Sequence, residues 1–240
     1  MLFLDAVILA AGMGKRLNHH TRNCPKCLLK VGGMSIIERQ ITHLRRKNVE
    51  KIHIVIGHEA DKVKKALSEA KDIHYIFNPE FSTTNVIMSL MMALPYIKNS
   101  FYCFCGDCVF EGDVIDKLVP EGRPIVLATA RKQIYETEAM KVSLLNDRVI
   151  RMGKQIPHDQ THAEFIGLAA VHGSGVELLK QQVVLNISAG QKNIFFGDVV
   201  DELIRDLGVE VKSVDVTGEQ WCEIDYEDDL QRARTLFANR

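Results

Sequence analysis

Near its start the chain reads FLDAVILAAGMGKRLNHHTRNCPKCLLKVGGMSIIERQI, an apolar run that ends in two glycines and then a long basic loop. The run Phe3–Ala10, interrupted only by Asp5, has the pattern of a strand covered on both faces. Strands of that kind belong to parallel sheets packed between helices, which restricts the chain to an α/β architecture. The next segments obey the restriction. Ser35–Lys47 carries apolar residues at 36, 37, 41 and 44, a helical spacing with Ser35 as N-cap. Lys51–Ile56 reads as a strand, Glu59–Ala70 as a helix and Ile73–Phe77 as a strand. Val86–Tyr96, apolar and rich in Met, reads as a helix, and Phe101–Cys105 as a buried strand ending in Gly106-Asp107.

The second half changes character. Ile125–Arg131, Ala139–Leu145, Val149–Met152 and Phe165–Val171 read as strands with short connections, which favours antiparallel pairing. Helices are expected near Gly175–Asn186 and Phe196–Asp206, strands at Val209–Val216 and Trp221–Ile224, and a closing helix at Tyr226–Ala238. No repeat or linker divides the 240 residues. One α/β domain with a parallel core and a later antiparallel subregion is expected.

The formal net charge is only −1, which argues against a nucleic-acid or membrane-surface binder. The positive charge is local instead. Between Ala6 and Ile37 there is no Asp or Glu, while Lys15, Arg16, Arg22, Lys26 and Lys30 all fall there. A loop of that kind suits a small anion. The opening shows no signal-peptide pattern, and no apolar run approaches the ~20 residues that span a bilayer. A reducing cytoplasmic setting is the expectation, with the six cysteines as free thiols. Cys24-x-x-Cys27 and Cys105-x-x-Cys108 leave a zinc site open as an alternative. The nine histidines show no metal-binding spacing and are assigned no chemistry.

Two glycines after a strand let backbone N–H groups approach a phosphate. The P-loop string G-x-x-x-x-G-K-[ST] is absent. The dinucleotide fingerprint fails too, because Leu17 stands where its third glycine belongs. What remains, AAGMGKRL followed by PKCLLK and GGMSIIERQI, resembles the signature of the sugar-1-phosphate nucleotidyltransferases and phosphocholine cytidylyltransferases. His19 and His20 depart from it, since a proline is common there. The resemblance continues through FNPEFSTTNVIMSLMMAL, FCGDCVF, EAMKVSLLNDRVIRMGKQIP, AEFIGLAAV and WCEIDYEDDLQRAR, and so spans residues 1–237. It is closest to the phosphocholine and 2-aminoethylphosphonate cytidylyltransferase branch.

The resemblance implies a Rossmann-like mixed, mostly parallel sheet flanked by helices, with a small antiparallel acceptor-side subregion, of the nucleotide-diphospho-sugar transferase type. It implies a single domain over 1–240, with the nucleotide part at about 1–110 and the acceptor part at about 120–225. The reaction implied is transfer of CMP from CTP to a small amino-alcohol phosphate or phosphonate, with Mg²⁺ as cofactor. The alternatives are a sugar- or inositol-1-phosphate nucleotidyltransferase and a nucleotide-binding regulatory protein. The implied partners are small molecules only; oligomeric state is left open.

By the same resemblance Leu9, Ala10, Ala11, Gly12, Gly14 and Lys15 cradle the nucleotide. Arg16 and Lys26 contact its phosphates, and Asp107 and Asp225 hold the metal. Asn85 and Ser89 read the base, with helix capping as the plainer role for Asn85. Lys141, Lys154, Glu164 and Glu223 face the acceptor. Trp221, Tyr226, Tyr135 and Phe165 are aromatic candidates for a quaternary ammonium, while Glu164 and Glu223 would suit a primary amine.

Overall fold

A computed structural model describes residues 5–119 and 122–238. In chain order its elements begin with Asp5–Ala10 (β1), 3-10 turns at Lys15–His20 and Lys26–Leu28, and the small hairpin Lys30–Val31 (β2) and Met34–Ser35 (β3). Ile36–Arg46 (α1), Lys51–Ile56 (β4), Ala60–Ala66 (α2), Ile73–Phe77 (β5) and Val86–Ala93 (α3) follow. Then come Phe101–Cys105 (β6), Cys108–Phe110 (β7), Gly112–Lys117 (α4), Ile125–Ala130 (β8), Lys141–Leu145 (β9) and Arg148–Gly153 (β10). Ala163–Val171 (β11), Ser174–Ser188 (α5), Phe196–Leu207 (α6), Val211–Asp215 (β12), Trp221–Glu223 (β13) and Glu227–Leu236 (α7) complete the chain. Phe3 and Leu4, expected to begin the first strand, lie outside the described residues.

Nine strands form one sheet in the order β5-β4-β1-β6-β11-β8-β12-β10-β9. The first four are mutually parallel. From β11 onward most pairings are antiparallel, with β8 and β12 as the parallel exception. β9 also returns to pair with the first residues of β11, so this end of the sheet folds back on itself. The mixed sheet and the later antiparallel subregion are as the sequence led one to expect.

Helices cover both faces, and β1 shows how. Val7 and Leu9 point into a core shared with α3, α5 and α6, whereas Ala6, Ile8 and Ala10 point into a second core with α1 and α4. α1 starts where the sequence placed it. Ser35 Oγ accepts from the Glu38 N–H, and Glu38 returns a carboxylate to the Ser35 N–H, a capping box. α3 stops at Ala93 rather than Tyr96, and Leu94–Tyr96 winds as a 3-10 turn around Pro95, which has no N–H to continue an α-helix. No helix is long and apolar enough to cross a membrane among the described residues.

Three features aim this frame at one place. β6 ends in a tight turn at Gly106-Asp107, where a Cβ on Gly106 would come within 2.9 Å of Ala10 Cα. Only glycine lets that turn lie against the end of β1. Gln40 of α1 straps the turn, donating from Nε2 to the carbonyls of Cys105 (2.8 Å) and Cys108 (2.7 Å). Finally β13 pairs antiparallel with β7, and Ile224 N–H donates to Asp107 O.

Two predictions follow from packing alone. Gln40→Ala leaves two carbonyls of the turn without their donor, so stability should fall by about 1–3 kcal/mol in chemical denaturation. An unchanged midpoint would show the strap to be idle. The second concerns His53, buried on β4 with Nδ1 3.1 Å from His74 Nδ1 and Nε2 unpartnered. Burial first, then coulombic repulsion from His74 and Lys51, depresses its pKa from 6.5 to about 4. A depressed histidine stabilises the fold above the unfolded value, and that stability is lost as pH falls through 6.5 towards 4. Between pH 7 and 5 the loss is up to about 2 kcal/mol. Thermal melting of His53→Phe should depend less on pH over that range than melting of the unaltered protein; equal dependence would refute the assignment.

Candidate active site

At the carboxyl ends of the parallel strands lies a cavity of about 580 Å³. One wall is the loop after β1. Gly14 sits at φ 60°, and a Cβ there would press on Thr21 Cγ2 at 3.0 Å and Lys26 Cβ at 3.3 Å. Thr21 Oγ1 donates to Gly14 O at 2.8 Å and closes the loop over that glycine. Gly12 has nothing within 4 Å of where a Cβ would be, so its backbone is open to the cavity. Lys15 and Arg16 follow on the same wall.

Lys26 stands at the centre. Its ammonium donates to Asp107 Oδ2 at 2.8 Å and to Asp225 Oδ1 at 2.6 Å. Burial alone would lower its pKa, but the two carboxylates outweigh that and hold it above the ordinary lysine value. Burial likewise opposes ionisation of Asp225, yet Lys26, Arg16 and Lys154 together keep its carboxyl below the usual range. Arg16 Nη1 donates to Asp225 Oδ2 at 3.2 Å, with its guanidinium 5.4 Å from the Tyr226 ring centroid. Glu223 opens onto the same cavity beneath this group. Burial, then repulsion from Asp107 and Asp225, pushes its carboxyl up to about 8.

The donor set fits a hard divalent cation. Asp107 and Asp225 already converge on one positive centre, the Lys26 ammonium. Asp107 Oδ1 is buried and has no hydrogen-bond partner, so one carboxylate oxygen is left for a ligand. Oxygen donors from one or two carboxylates suit magnesium-type ions. The six cysteines are free thiols, and among the described residues none of them shares a cluster of three ligand-type atoms with other cysteines, histidines or carboxylates.

The expected residues distribute as follows. Leu9, Ala10, Ala11, Gly12, Gly14, Lys15, Arg16, Lys26, Asp107, Asp225, Asn85, Ser89, Lys154, Glu164 and Glu223 all border the cavity. Lys141 does not. Its ammonium is bonded to the carbonyls of Thr137 and Lys154, so it sits behind the wall and fixes the Lys154 backbone. Asn85 caps α3, accepting from the Val86 N–H at 2.8 Å, and donates to Asn193 O at 3.4 Å. Ser89 is buried and accepts from Asn78 Nδ2 at 3.1 Å. Of the aromatic candidates, Trp221 and Phe165 reach the cavity, whereas Tyr135 and Tyr226 are not on its wall.

Several wall residues escaped the sequence reading. Glu138 bridges Arg16 at 3.5 Å and Lys154 at 3.0 Å from opposite sides of the cavity. Lys132 pairs with the buried Glu164, and its ammonium lies 5.3 Å from the Trp221 ring centroid. Asp229 Oδ2 accepts from the N–H groups of Asp225 (3.0 Å) and Tyr226 (2.8 Å), which sets the Asp225 backbone. The spacing of Asp229 from the start of α7 was the one available signal, an acid at N3 of a helix.

The family model for the MobA-like NTP transferase domain matches residues 6–170. A CTP:phosphoglutamine cytidylyltransferase from Campylobacter jejuni is 24% identical over an alignment of 253 residues, covering 95% of this chain and 98% of that protein. A CMP-5'-(3-aminopropyl)phosphonate synthase from Streptomyces rubellomurinus is 33% identical over 129 residues, 52% of this chain but only 20% of that longer protein. Among solved structures, the inositol-1-phosphate CTP transferase from T. maritima superposes with a TM-score of 0.83 at 24% identity, covering 100% of this chain and 96% of that one. The CTP:phosphocholine cytidylyltransferase from Streptococcus pneumoniae gives 0.82 at 20% identity, covering 98% and 99%. These likenesses in structure fix the fold as that of the nucleotide-diphospho-sugar transferases. With two thirds of its length matched by the family model, the chain belongs to the MobA-like NTP transferase domain family and is a nucleotidyltransferase.

Proposed function

We propose that the protein is a cytidylyltransferase that moves CMP from CTP to a small phosphate or phosphonate bearing an amino group, releasing pyrophosphate. The observation that carries this reading is Lys26 held between Asp107 and Asp225 directly under the open glycine loop. In this reading residues 1–110 supply the nucleotide side and 120–225 the acceptor side.

The acceptor oxygen attacks the α-phosphorus, and the bond to the pyrophosphate oxygen breaks. That oxygen is already anionic at neutral pH, so no general base is needed. The task is to bring two anions together in line and to stabilise the charge passing to the leaving group. The backbone at Gly12 approaches the phosphates, and Lys15 and Arg16 neutralise their outer oxygens. Lys26 exchanges its carboxylates for the α-phosphoryl oxygen. Asp107 and Asp225 would hold a divalent cation, magnesium by their all-oxygen chemistry, which when bound screens the phosphate charges and orients the triphosphate.

Base choice is read from hydrogen-bond direction. Asn85 has its side chain committed to the α3 cap. Ser89 Oγ accepts from Asn78, so its own O–H is left to donate. A buried donor pairs with cytosine N3, which accepts, and confronts the N3–H of uracil. One such mismatch costs roughly 1–3 kcal/mol.

At the other end an ammonium group is already accommodated. Lys132 sits between the Glu164 carboxylate and the face of Trp221. Carboxylate plus aromatic face is the chemistry that receives an alkylammonium. A substrate amine of the same kind displaces Lys132, and the aminopropylphosphonate in one relative's name has that form.

A panel of acceptors against CTP, UTP and dTTP, read by pyrophosphate release, tests the proposal. CTP should be preferred at least about tenfold in kcat/KM. Aminoalkyl phosphates or phosphonates should be used in preference to inositol-1-phosphate and glucose-1-phosphate. Ser89→Ala should erode the CTP/UTP ratio, whereas Asn85→Ala should lower the melting temperature and leave the ratio intact. Equal use of UTP would overturn the cytidylyltransferase reading, preference for a hydroxyl-only acceptor would move inositol or sugar phosphates to the front, and no release with any pair would favour a regulatory nucleotide binder. A separate expectation concerns Lys26→Ala. Because charge develops on the phosphoryl oxygens in the transition state, kcat should drop by about a hundredfold, on the order of 3 kcal/mol. Nucleotide Kd, from isothermal titration, should change much less; a variant that only weakens binding contradicts the role.

A further inference from the structure

Outside the cavity, on the far side of the basic loop, His19, His20 and Glu227 each bring one ligand-type atom within 4.8 Å of the other two. The two ring centroids are 4.0 Å apart, and His20 Nε2 is 2.6 Å from Glu227 Oε2. That nitrogen is shut off from solvent and makes no hydrogen bond of ordinary geometry. Gln231 Nε2 donates to Glu227 Oε1 at 2.9 Å, which orients the carboxylate and leaves Oε2 for a second partner. This is the one grouping of three such residues among the described residues with that spacing.

We propose that His19, His20 and Glu227 bind a single transition-metal ion of the zinc class. Two imidazoles and a carboxylate are donors that suit zinc, cobalt, nickel and copper and are poor for magnesium. Bonds of about 2.0–2.1 Å in tetrahedral array space the ligand atoms by roughly 3.4 Å. The 2.6 Å contact therefore opens slightly and the widest spacing closes by little more than an ångström, both within the reach of exposed or half-exposed side chains. Water completes the coordination.

The placement gives the ion a structural consequence. Two ligands lie on the Lys15–His20 turn and one on the first turn of α7. The same turn carries Arg16, and the residue two before Glu227 is Asp225. An ion here ties the phosphate-facing loop to the segment that bears an acidic residue of the cavity. The site is chemically distinct from the Asp107–Asp225 pair, which offers oxygen only.

Cobalt(II) titration of the full chain, followed by visible absorption and by displacement with zinc, tests the proposal. With excess magnesium present to occupy the Asp107–Asp225 pair, one cobalt ion per chain should bind with the bands of a four-coordinate nitrogen–oxygen site and without thiolate charge-transfer bands. His19→Ala, His20→Ala and Glu227→Gln should each weaken binding at least tenfold, while thermal melting without metal stays near that of the unaltered chain. Asp107→Asn should leave cobalt affinity unchanged, and excess magnesium should not displace the ion. Unaltered affinity in His20→Ala, loss of binding in Asp107→Asn, thiolate bands that place the ion on cysteine, or no binding at all would each overturn it.

Discussion

Three stretches of chain, about eighty and two hundred residues apart in pairs, meet on the Lys26 ammonium. Its side chain is 11% exposed, against 25% for Asp107 and 34% for Asp225. Charges drawn this far from water lose several kcal/mol of solvation each, and their mutual attraction roughly offsets that loss only when geometry is good. One carboxylate would leave the lysine near break-even; two hold it charged. Such a cluster adds little to net stability but penalises any displacement of its members. Gly106, Gln40, the β7–β13 pairing and Asp229 all act on the position of one of those members through the backbone.

The loop that carries the cations has little regular structure, yet it is not loosely held. Leu17, Leu29, Val31 and Ile36 pack with Val109, Cys222, Ile224, Leu230 and Phe237 in a small core of their own. Burial of a Leu, Ile or Phe side chain is worth about 1.5–3 kcal/mol. This satellite core joins the basic loop to β7, β13 and α7, and Arg39 closes it by pairing with Glu111 at 2.7 Å and stacking 5.0 Å from the Phe237 ring centroid. The last seventeen or so described residues are thus packed against the first forty. The glycine loop is therefore positioned in part by α7.

Long strands and helices were legible in the sequence because burial on two faces or one imposes a period. β1, β4, β6 and β11 are mostly apolar, broken only by Asp5, Lys51, His53 and Glu164, and α1 carries its own capping box. β13 falls inside the expected strand Trp221–Ile224, but β7 is three residues long, too short for any period, so the pairing of the two that joins Asp107 to Asp225 could not be read. The glycine-loop residues and the two aspartates that border the cavity are marked in the sequence by motif resemblance. Glu138, Lys132, Asn78 and Gln40 were not, because each acts through a partner supplied by tertiary folding rather than by a neighbour in sequence. Asp229 was hidden differently: among six acids between Glu219 and Asp229 it looked like part of a solvated helix start, although its carboxylate holds two backbone N–H groups. Lys141 shows the converse, an isolated lysine on a strand that serves backbone carbonyls.

The ion pairs around the cavity fall into two kinds, and the difference bears on how substrates enter. Arg16 and Glu138 are 45% and 48% exposed, and their contact is 3.5 Å. Pairs so open to water are worth at most about 1 kcal/mol. In the proposed reaction Arg16 therefore exchanges Glu138 for a phosphate oxygen at little cost. Lys26 cannot be released so cheaply, since leaving it would strand two carboxylates in a poorly solvated floor. In the proposed reaction a second cation at Asp107, where Oδ1 is already unpartnered, would remove that penalty and leave the lysine to the phosphate. On the proposed function the outer arginine is thus open to any anion, while the inner lysine would become available only when positive charge arrives with it, as it does with a metal-bound triphosphate.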